Sequence, residues 1–501
     1  MNDVSTVPAR RRPDPLGVRR AVFAAALLNP VIASAHSFAP PYTLPVPFSL
    51  YAYGAAAALL LSFLIAGVFA RVPALGSVEG MRRPGGSATV VARRRLPIGA
   101  TISLGLLTLC IASGLLGVQN AYANFNMTFF WIVFVLGVPY AVALLGDFYP
   151  AVNPWKALVH AVEGVTGSSF EGRVRYPGWL AYYPALLLYM AFIWLELFGS
   201  LTPRGLSLAL VAYTAVNLVG AWLFGKAAWF WHGEFFGVTL RMIGKLSPWA
   251  RPWEAEERAL FSERRWRAPF VGLYEAHADH LSLLLFILFM LSSTAFDGLH
   301  ATQAWNELFW KHLYPLLDPL FATAPGQKYA FSTKLYHVWQ WVCLWISPFV
   351  YLAVFIAFLS AVKALVRTKL TVKAICLRFA FSLIPIAFVY HVTHYYTLLL
   401  MQGSQIVRLV SDPFGFGWNL FGTAKHAIKP IVVDVEVIWH TQVALILVGH
   451  IVSVYLAHLE ALASFHTPRR ATISQLPMLL LMVFFTTTGM WILSLPLSAG
   501  G

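Results

Sequence analysis

The sequence predicts an all-α, multi-pass membrane protein built as a helix bundle. Two observations lead to this prediction: 58% of the 501 residues are hydrophobic, and only 11% are charged. A third is that apolar stretches of about 20 residues, the length that crosses a bilayer, recur along the chain. We expect about ten transmembrane helices after an N-terminal signal segment, with the mature N-terminus outside.

The first 35 residues are typical of an export signal. Arginines precede an apolar run that ends at Leu28, and the small residues Ala33 and Ala35 fit a cleavage site. Cleavage after Ala35 would leave His36 at the new N-terminus, where its α-amine and imidazole together can chelate copper. The alternative is an uncleaved anchor interrupted by Pro30, in which His36 has no such role.

The remaining chain, 36–501, is predicted to form a single transmembrane domain. Its apolar segments of spanning length are 46–70, 98–117, 127–147, 178–200, 205–225, 281–300, 335–362, 374–400, 436–460 and 475–496.

The charges of the connecting loops predict the orientation of these spans. Alternate loops, starting from an outside N-terminus, hold 23 Lys and Arg on one side and seven on the other. The basic set is 71–97, 148–177, 226–280, 363–373 and 461–474. Because basic loops stay in the cytoplasm, the protein is predicted to lie in a cytoplasmic membrane with these loops inside. The net charge of +15 therefore reflects topology, and no recognition motif indicates a nucleic-acid partner.

Two long connections have a composition of their own. The cytoplasmic insert 226–280 mixes Trp and Phe with Arg and Glu, which predicts an interfacial segment lying along the membrane. The external loop 401–435 is rich in Gly, Pro and aromatic residues, which predicts an ordered cap over the outer surface. Such a loop is compatible with entry of a lipophilic substrate, and also with a protein partner in a homo- or hetero-oligomer.

Two imidazoles stand three residues apart inside an apolar span, at His391 and His394. Polar groups at membrane depth are costly, which makes them functional candidates. A rise of about 1.5 Å per residue places them about 15 and 10 Å below the outer end of their helix. His440 and His450 on the next span would lie about 6 and 21 Å deep, so the four imidazoles could bracket one site.

Carboxylates occur at similar levels. Glu196 and Asp297 lie near the outer ends of their predicted spans. Either could act as a general base on a bound water, ligate a metal ion or orient a ligand histidine. The structural alternative is a set of interhelical hydrogen bonds that hold the bundle together.

A metal ion at this level would rest on His and carboxylate ligands. The three cysteines, Cys110, Cys343 and Cys376, show no spacing typical of a thiolate site. The predicted ligands of a divalent metal ion are His36, His391, His394, His440 and His450. Haem b is also compatible with the pattern, held by His391 with His450 or by His394 with His440. The absence of a phosphate-binding glycine loop disfavours an ATP-driven pump.

Several short motifs together resemble a family of bacterial integral-membrane proteins named fenitrothion hydrolase. They are Ala35-His36, Asn153-Pro154-Trp155, Phe296-Asp297-Gly298, Tyr390-His391 with His394-Tyr395, Ser411-Asp412-Pro413-Phe414-Gly415, Gly449-His450 and Ala457-His458. The similarity spans most of the mature chain.

This resemblance implies a hydrolase that cleaves the aryl ester bond of an organophosphorus triester and releases a nitrophenol. Such a substrate is neutral and lipophilic, and it would reach the site from the bilayer. A metal ion on His391 and His394 would activate water, with Asp297 or Glu196 accepting the proton. The competing hypothesis is a non-hydrolytic copper or haem protein for metal handling, oxidation or electron transfer, in which His36 is central.

Overall fold

The computed structural model describes residues 47–69, 98–250, 265–321, 327–425, 431, 433–465 and 467–495. Within these residues nine helices are long and apolar enough to cross a membrane, and a tenth apolar helix, Tyr183–Phe198, is shorter. The prediction of a helical membrane bundle is confirmed to that extent. The signal segment 1–35 and His36 lie outside the described residues.

The helices follow one another along the chain with few irregular connections. Their bounds are α1 Phe48–Phe69, α2 Ile98–Leu116, α3 Phe125–Leu145, α4 Tyr149–Val152, α5 Pro154–Thr166, α6 Tyr183–Phe198, α7 Pro203–Phe224, α8 Lys226–His232, α9 Phe235–Ile243, α10 Val271–Tyr274, α11 Leu281–His300, α12 Gln303–Glu307, α13 Tyr314–Leu317, α14 Lys328–Val366, α15 Val372–Phe379, α16 Ile384–Gln402, α17 Ile406–Ser411, α18 Val435–Ser464 and α19 Pro468–Ser494. Two short strands, β1 Trp249–Ala250 and β2 Arg265–Trp266, pair antiparallel.

Each of the ten predicted spans corresponds to one of these apolar helices or helix pairs. The largest differences in a start are at α14 and α19, which each begin seven residues before the predicted starts at 335 and 475. The predicted span 374–400 is interrupted by a tight turn, Ala380–Leu383, before α16. Pro385 lies in the first turn of α16, where its missing N–H prevents a continuous α-helical ladder.

Helix α11 is the centre of the bundle. It packs against α6, α14, α16 and α19, and 15 of its 20 residues are buried. An all-round apolar surface suits such a position, because a helix covered on every side needs no polar face.

The insert after α7 enters the bundle. Six of the nine residues of α9 are buried, and the helix packs against α6. Its first turn is capped by Glu234, whose carboxylate accepts N–H groups from Phe236 at 3.1 Å and Gly237 at 2.8 Å. That the whole insert lies along the membrane surface stays a prediction.

Glu234 also ties α9 to two other elements. Its carboxylate accepts hydrogen bonds from the Tyr213 hydroxyl at 2.6 Å and from the Asn153 amide at 3.1 Å. Asn153 in turn caps α5 through the N–H groups of Trp155 and Lys156. The Asn153-Pro154-Trp155 motif is therefore a structural turn in this fold.

The loop predicted to be external is organised around Asp412. Its two carboxylate oxygens accept the N–H groups of Phe416 at 2.9 Å and Gly417 at 2.8 Å. The loop packs on the α2–α3 connection, where the N–H of Val118 donates to the carbonyl of Phe414. Its function as a cap over the outer surface stays a prediction.

Candidate functional site

Two carboxylates reach the same level because α6 and α11 start side by side and run parallel. At the start, the N–H of Tyr182 donates to the Ser282 hydroxyl at 3.0 Å. Glu196 and Asp297 follow these residues at nearly equal separation along their helices, about 21 Å at the α-helical rise. The parallel packing of two central helices therefore brings both acidic groups to one end of the bundle.

Helix α16 brings the imidazoles to the same end. It is also parallel to α11, since the N–H of Ala278, just before α11, donates to the carbonyl of Leu377 in α15, the helix that leads into α16. Near the other end, the Tyr395 hydroxyl donates to Asp297 Oδ2 at 2.7 Å. His394 Nε2 lies 2.7 Å from the same oxygen.

Asp297 is the residue on which the cluster converges. Its side chain is only 4% exposed, and Oδ2 contacts both His394 and Tyr395. Glu196 lines the same cavity and lies close enough to Tyr395 and Asp297 to interact with them. His300, one turn after Asp297, directs Nδ1 to the Asp297 carbonyl at 2.7 Å and closes the end of α11.

A cavity opens next to this cluster. Its volume is about 70 Å³, which is room for about five waters. Its walls are mostly apolar and aromatic, and its polar groups include Glu196, Asp297, His391 and Tyr395. The other lining residues are Phe134, Val135, Pro139, Tyr189, Phe192, Ile193, Leu197, Phe235, Phe236, Thr239, Leu240, Ile243, Met290, Ser293, Thr294, Ala387 and Phe388.

His391 is the imidazole that faces this cavity, whereas His394 does not line it. The ring of His391 packs against Tyr140 and Tyr395, with centroids 5.9 and 5.1 Å away. It makes no hydrogen bond with any residue that the structure describes. His391 can therefore bind a molecule in the cavity, whereas His394 is paired with Asp297.

Two other predicted histidines, His440 and His450, do not line this cavity. His440 is exposed, and its Nδ1 lies 2.8 Å from the Glu436 carbonyl. His450 is fully buried, with Nδ1 2.8 Å from the Ile446 carbonyl. The structure thus joins His391 and His394 with the two predicted carboxylates but leaves His440 and His450 elsewhere.

Two observations concern the predicted metal and haem sites. Among the described residues, no group of three or more His, Cys, Asp or Glu side chains is placed to hold a metal ion. The ring of His450 packs against Tyr390 at 6.1 Å, whereas His391 faces the cavity. The haem pairs, the divalent metal ion and the copper site at His36 stay predictions.

Two polar residues that line the cavity, Tyr395 and Ser293, were not among the predicted site residues. Tyr395 lies four residues after His391, so the two share one face of α16, and this spacing was a usable signal. Ser293 lies four residues before Asp297 on α11 in the same way. Serine is common in membrane helices, and its position alone distinguishes nothing.

The fold and the cluster define a class: a multi-pass helical membrane protein with an acidic and imidazole-containing site inside its bundle. Comparison with known proteins does not extend this description. No protein-family model, no curated protein and no solved structure matches the chain.

Proposed function

We propose that this chain is a membrane-embedded hydrolase of neutral, lipophilic esters, and that organophosphorus triesters with an aryl leaving group are its substrates. One observation carries the proposal: Glu196, Asp297, His391 and Tyr395 converge on one cavity whose other walls are mainly apolar. Acid and base groups around a small water-sized space are what hydrolysis needs, and apolar walls suit a greasy substrate. The substrate class follows from the family resemblance.

In the proposed reaction, His391 is the general base. It accepts a proton from a water in the cavity while the water oxygen forms a bond to phosphorus. The bond from phosphorus to the aryl oxygen breaks, and nitrophenolate leaves with the electron pair. Nitrophenolate is a good leaving group, so the step requires little help from a general acid.

Asp297 is the electrostatic partner of this base. It lies close enough to His391 to interact with its charge, and its position is held by His394 and Tyr395. A fixed carboxylate stabilises the imidazolium that forms as the water is deprotonated. Tyr395 and Glu196 complete the polar end of the cavity, where the Tyr395 hydroxyl donates to Asp297.

A divalent metal ion is a second way to activate the water. Its ligands would come from His391, His394, Asp297 and Glu196, which approach each other from three helices. In the described geometry these donors form no three-ligand group, and Asp297 Oδ2 is already bonded to His394 and Tyr395. The residues as they stand do not fit a bound metal, so the mechanism above contains no metal step.

We infer that the site is on the periplasmic side of a bacterial inner membrane. The support is the loop charge, with 23 Lys and Arg on the side opposite the predicted outer loops. Glu196 and Asp297 lie at the ends of helices that run toward those outer loops. A lipophilic triester would then reach the cavity through the outer leaflet.

The test uses the purified full-length protein in detergent with an aryl thiophosphate triester such as fenitrothion. Nitrophenol release is measured for wild type, for His391→Ala and for the control His440→Ala. We expect His391→Ala to lose about 100-fold or more in kcat, the size of a general-base contribution. His440→Ala should keep wild-type activity. Absence of release by the wild type, or equal rates in both variants, would contradict the proposal.

A further inference from the structure

Three consecutive hydroxyl residues on α11 differ in their partners. The Ser292 hydroxyl bonds Ser347 Oγ at 2.8 Å, and the Thr294 hydroxyl donates to the Met290 carbonyl. Ser293 is 2% exposed, and its Oγ makes no hydrogen bond of ordinary geometry with a described residue, although Tyr189 is close to it. A buried hydroxyl without a partner is unfavourable, so the Ser293 hydroxyl requires a hydrogen-bonding group that the described residues do not supply.

Ser293 lines the same cavity as His391, and helix geometry places the two at one level. Asp297 on α11 and Tyr395 on α16 are joined by a hydrogen bond of 2.7 Å, and these helices run parallel. Ser293 precedes Asp297 by one turn, and His391 precedes Tyr395 by one turn. Each lies about 6 Å along its helix from the bonded pair, on the same face as its partner.

We propose that Ser293 and His391 together bind the water that attacks the ester, with Ser293 as the positioning residue. The cavity has space for several waters, and a buried water is stable when it has two or more polar partners. Ser293 and His391 line one cavity at the same level, and neither side chain has a hydrogen-bond partner among the described residues. The hydroxyl and the imidazole can therefore both bind one water. This inference rests on the proposed hydrolase function.

The positioning role has a specific chemical consequence. A water anchored by Ser293 has its oxygen aligned for attack and its proton directed to His391. Without the hydroxyl, the water loses its orientation, and a larger nucleophile that fills the vacated space competes better. The ratio of attack by methanol to attack by water therefore reports on the anchor, whereas a loss of folded protein lowers both products equally.

The experiment measures nitrophenol release and product partition at a fixed methanol concentration, using the purified full-length protein and an aryl phosphotriester. Water attack gives the diester, and methanol attack gives a methyl triester. We expect Ser293→Ala to lower kcat about tenfold, the effect of one hydrogen bond, with KM nearly unchanged and more methyl triester. Ser293→Thr, which keeps a hydroxyl, should recover part of the rate, and Ser292→Ala should match the wild type.

Three results would overturn the inference. Ser293→Ala with the rate and partition of Ser292→Ala would show that the hydroxyl positions nothing. A phosphoryl adduct on Ser293, detected by mass spectrometry of peptides, would make it the nucleophile. A wild type that releases no nitrophenol would remove the proposed function and this inference together, which distinguishes that failure from the other two.

Discussion

His394 and Asp297 form a close pair inside the bundle, with Nε2 of His394 2.7 Å from Oδ2 of Asp297. The pair joins α16 to α11, and the Tyr395 hydroxyl binds the same carboxylate oxygen from the cavity. Asp297 is thus held by one residue that lines the cavity and one that does not. Its carboxylate is the fixed element around which the proposed chemistry is arranged.

Replacing Asp297 by Asn should reduce hydrolysis strongly. Asparagine keeps the shape but removes the negative charge that stabilises protonated His391 during water attack. We expect kcat to fall about 100-fold or more, with little change in KM. The control Glu307→Gln removes a surface carboxylate that pairs with Lys311 and should leave the rate unchanged. A rate for Asp297→Asn within about twofold of wild type would exclude the carboxylate from the reaction.

Chelation should leave hydrolysis intact, because the proposed mechanism activates the water with His391 as general base and uses no metal ion. The purified protein is dialysed against EDTA, its metal content is measured, and nitrophenol release is compared before and after. We expect less than one metal ion per chain and an unchanged rate. If the rate is lost and returns with a divalent ion, the site works with a metal ion. His391 would then be a metal ligand and not the general base, and His394 would be a second ligand. A Soret band in the optical spectrum would redirect the assignment to haem.

Enlarging the cavity should help bulky substrates. The space of about 70 Å³ is below the range of about 300–1,000 Å³ typical of small-molecule sites, so an aryl triester must displace wall side chains. Phe192 is one of these, and it stacks on Trp131 with centroids 5.6 Å apart. We expect Phe192→Leu to raise kcat/KM for a diisopropyl ester about fivefold relative to the dimethyl ester.

The matched control for this variant is Phe358→Leu. Phe358 lines a separate apolar groove between α14 and α19, and its truncation should not change the ratio of the two esters. An equal ratio in Phe192→Leu and wild type would show that the substrate does not use this part of the cavity.

The stability of the fold should depend on Glu234 in a defined pH window. Burial raises the pKa of Glu234 to about 7 from 4.5, against the lowering effect of the Tyr213, Asn153 and backbone donors. The folded protein therefore keeps a proton that the unfolded chain releases. The contribution is complete below about pH 4.5, falls as pH rises, and is lost above about pH 7, a change of about 3 kcal/mol.

Thermal unfolding of the detergent-solubilised protein across this window measures the effect. Glu234→Gln removes the titration, so its melting temperature should change less with pH than that of the wild type, although the amide disrupts the cap and lowers stability at every pH. The control Glu171→Gln changes an exposed carboxyl and should keep the wild-type slope. Equal slopes in wild type and Glu234→Gln would show that Glu234 does not titrate in this range.

The membrane-bundle architecture was accessible from the sequence because spanning length and apolar content are local properties. Each predicted span corresponds to a helix in the structure. The predicted boundaries were wrong in places, as at the start of α14 and at the turn before Pro385. The short length of α6 also has a local cause, because Pro184 lies in its first turn and Gly199 follows its last residue. These are positions where backbone chemistry, and not hydrophobicity, sets the ends of a helix.

Which polar groups meet was decided only by the tertiary structure. The sequence alone identified His391, His394, Asp297 and Glu196 as costly groups at similar depth, but it ranked His440 and His450 equally. Depth along a helix follows from residue number, whereas convergence depends on which helices are neighbours and how each is rotated about its axis. The parallel contacts of α6, α11 and α16 join the first four groups, bring the Tyr395 hydroxyl to Asp297 and set Ser293 level with His391. That rotation and adjacency come from packing over the whole bundle, and no local sequence signal encodes them.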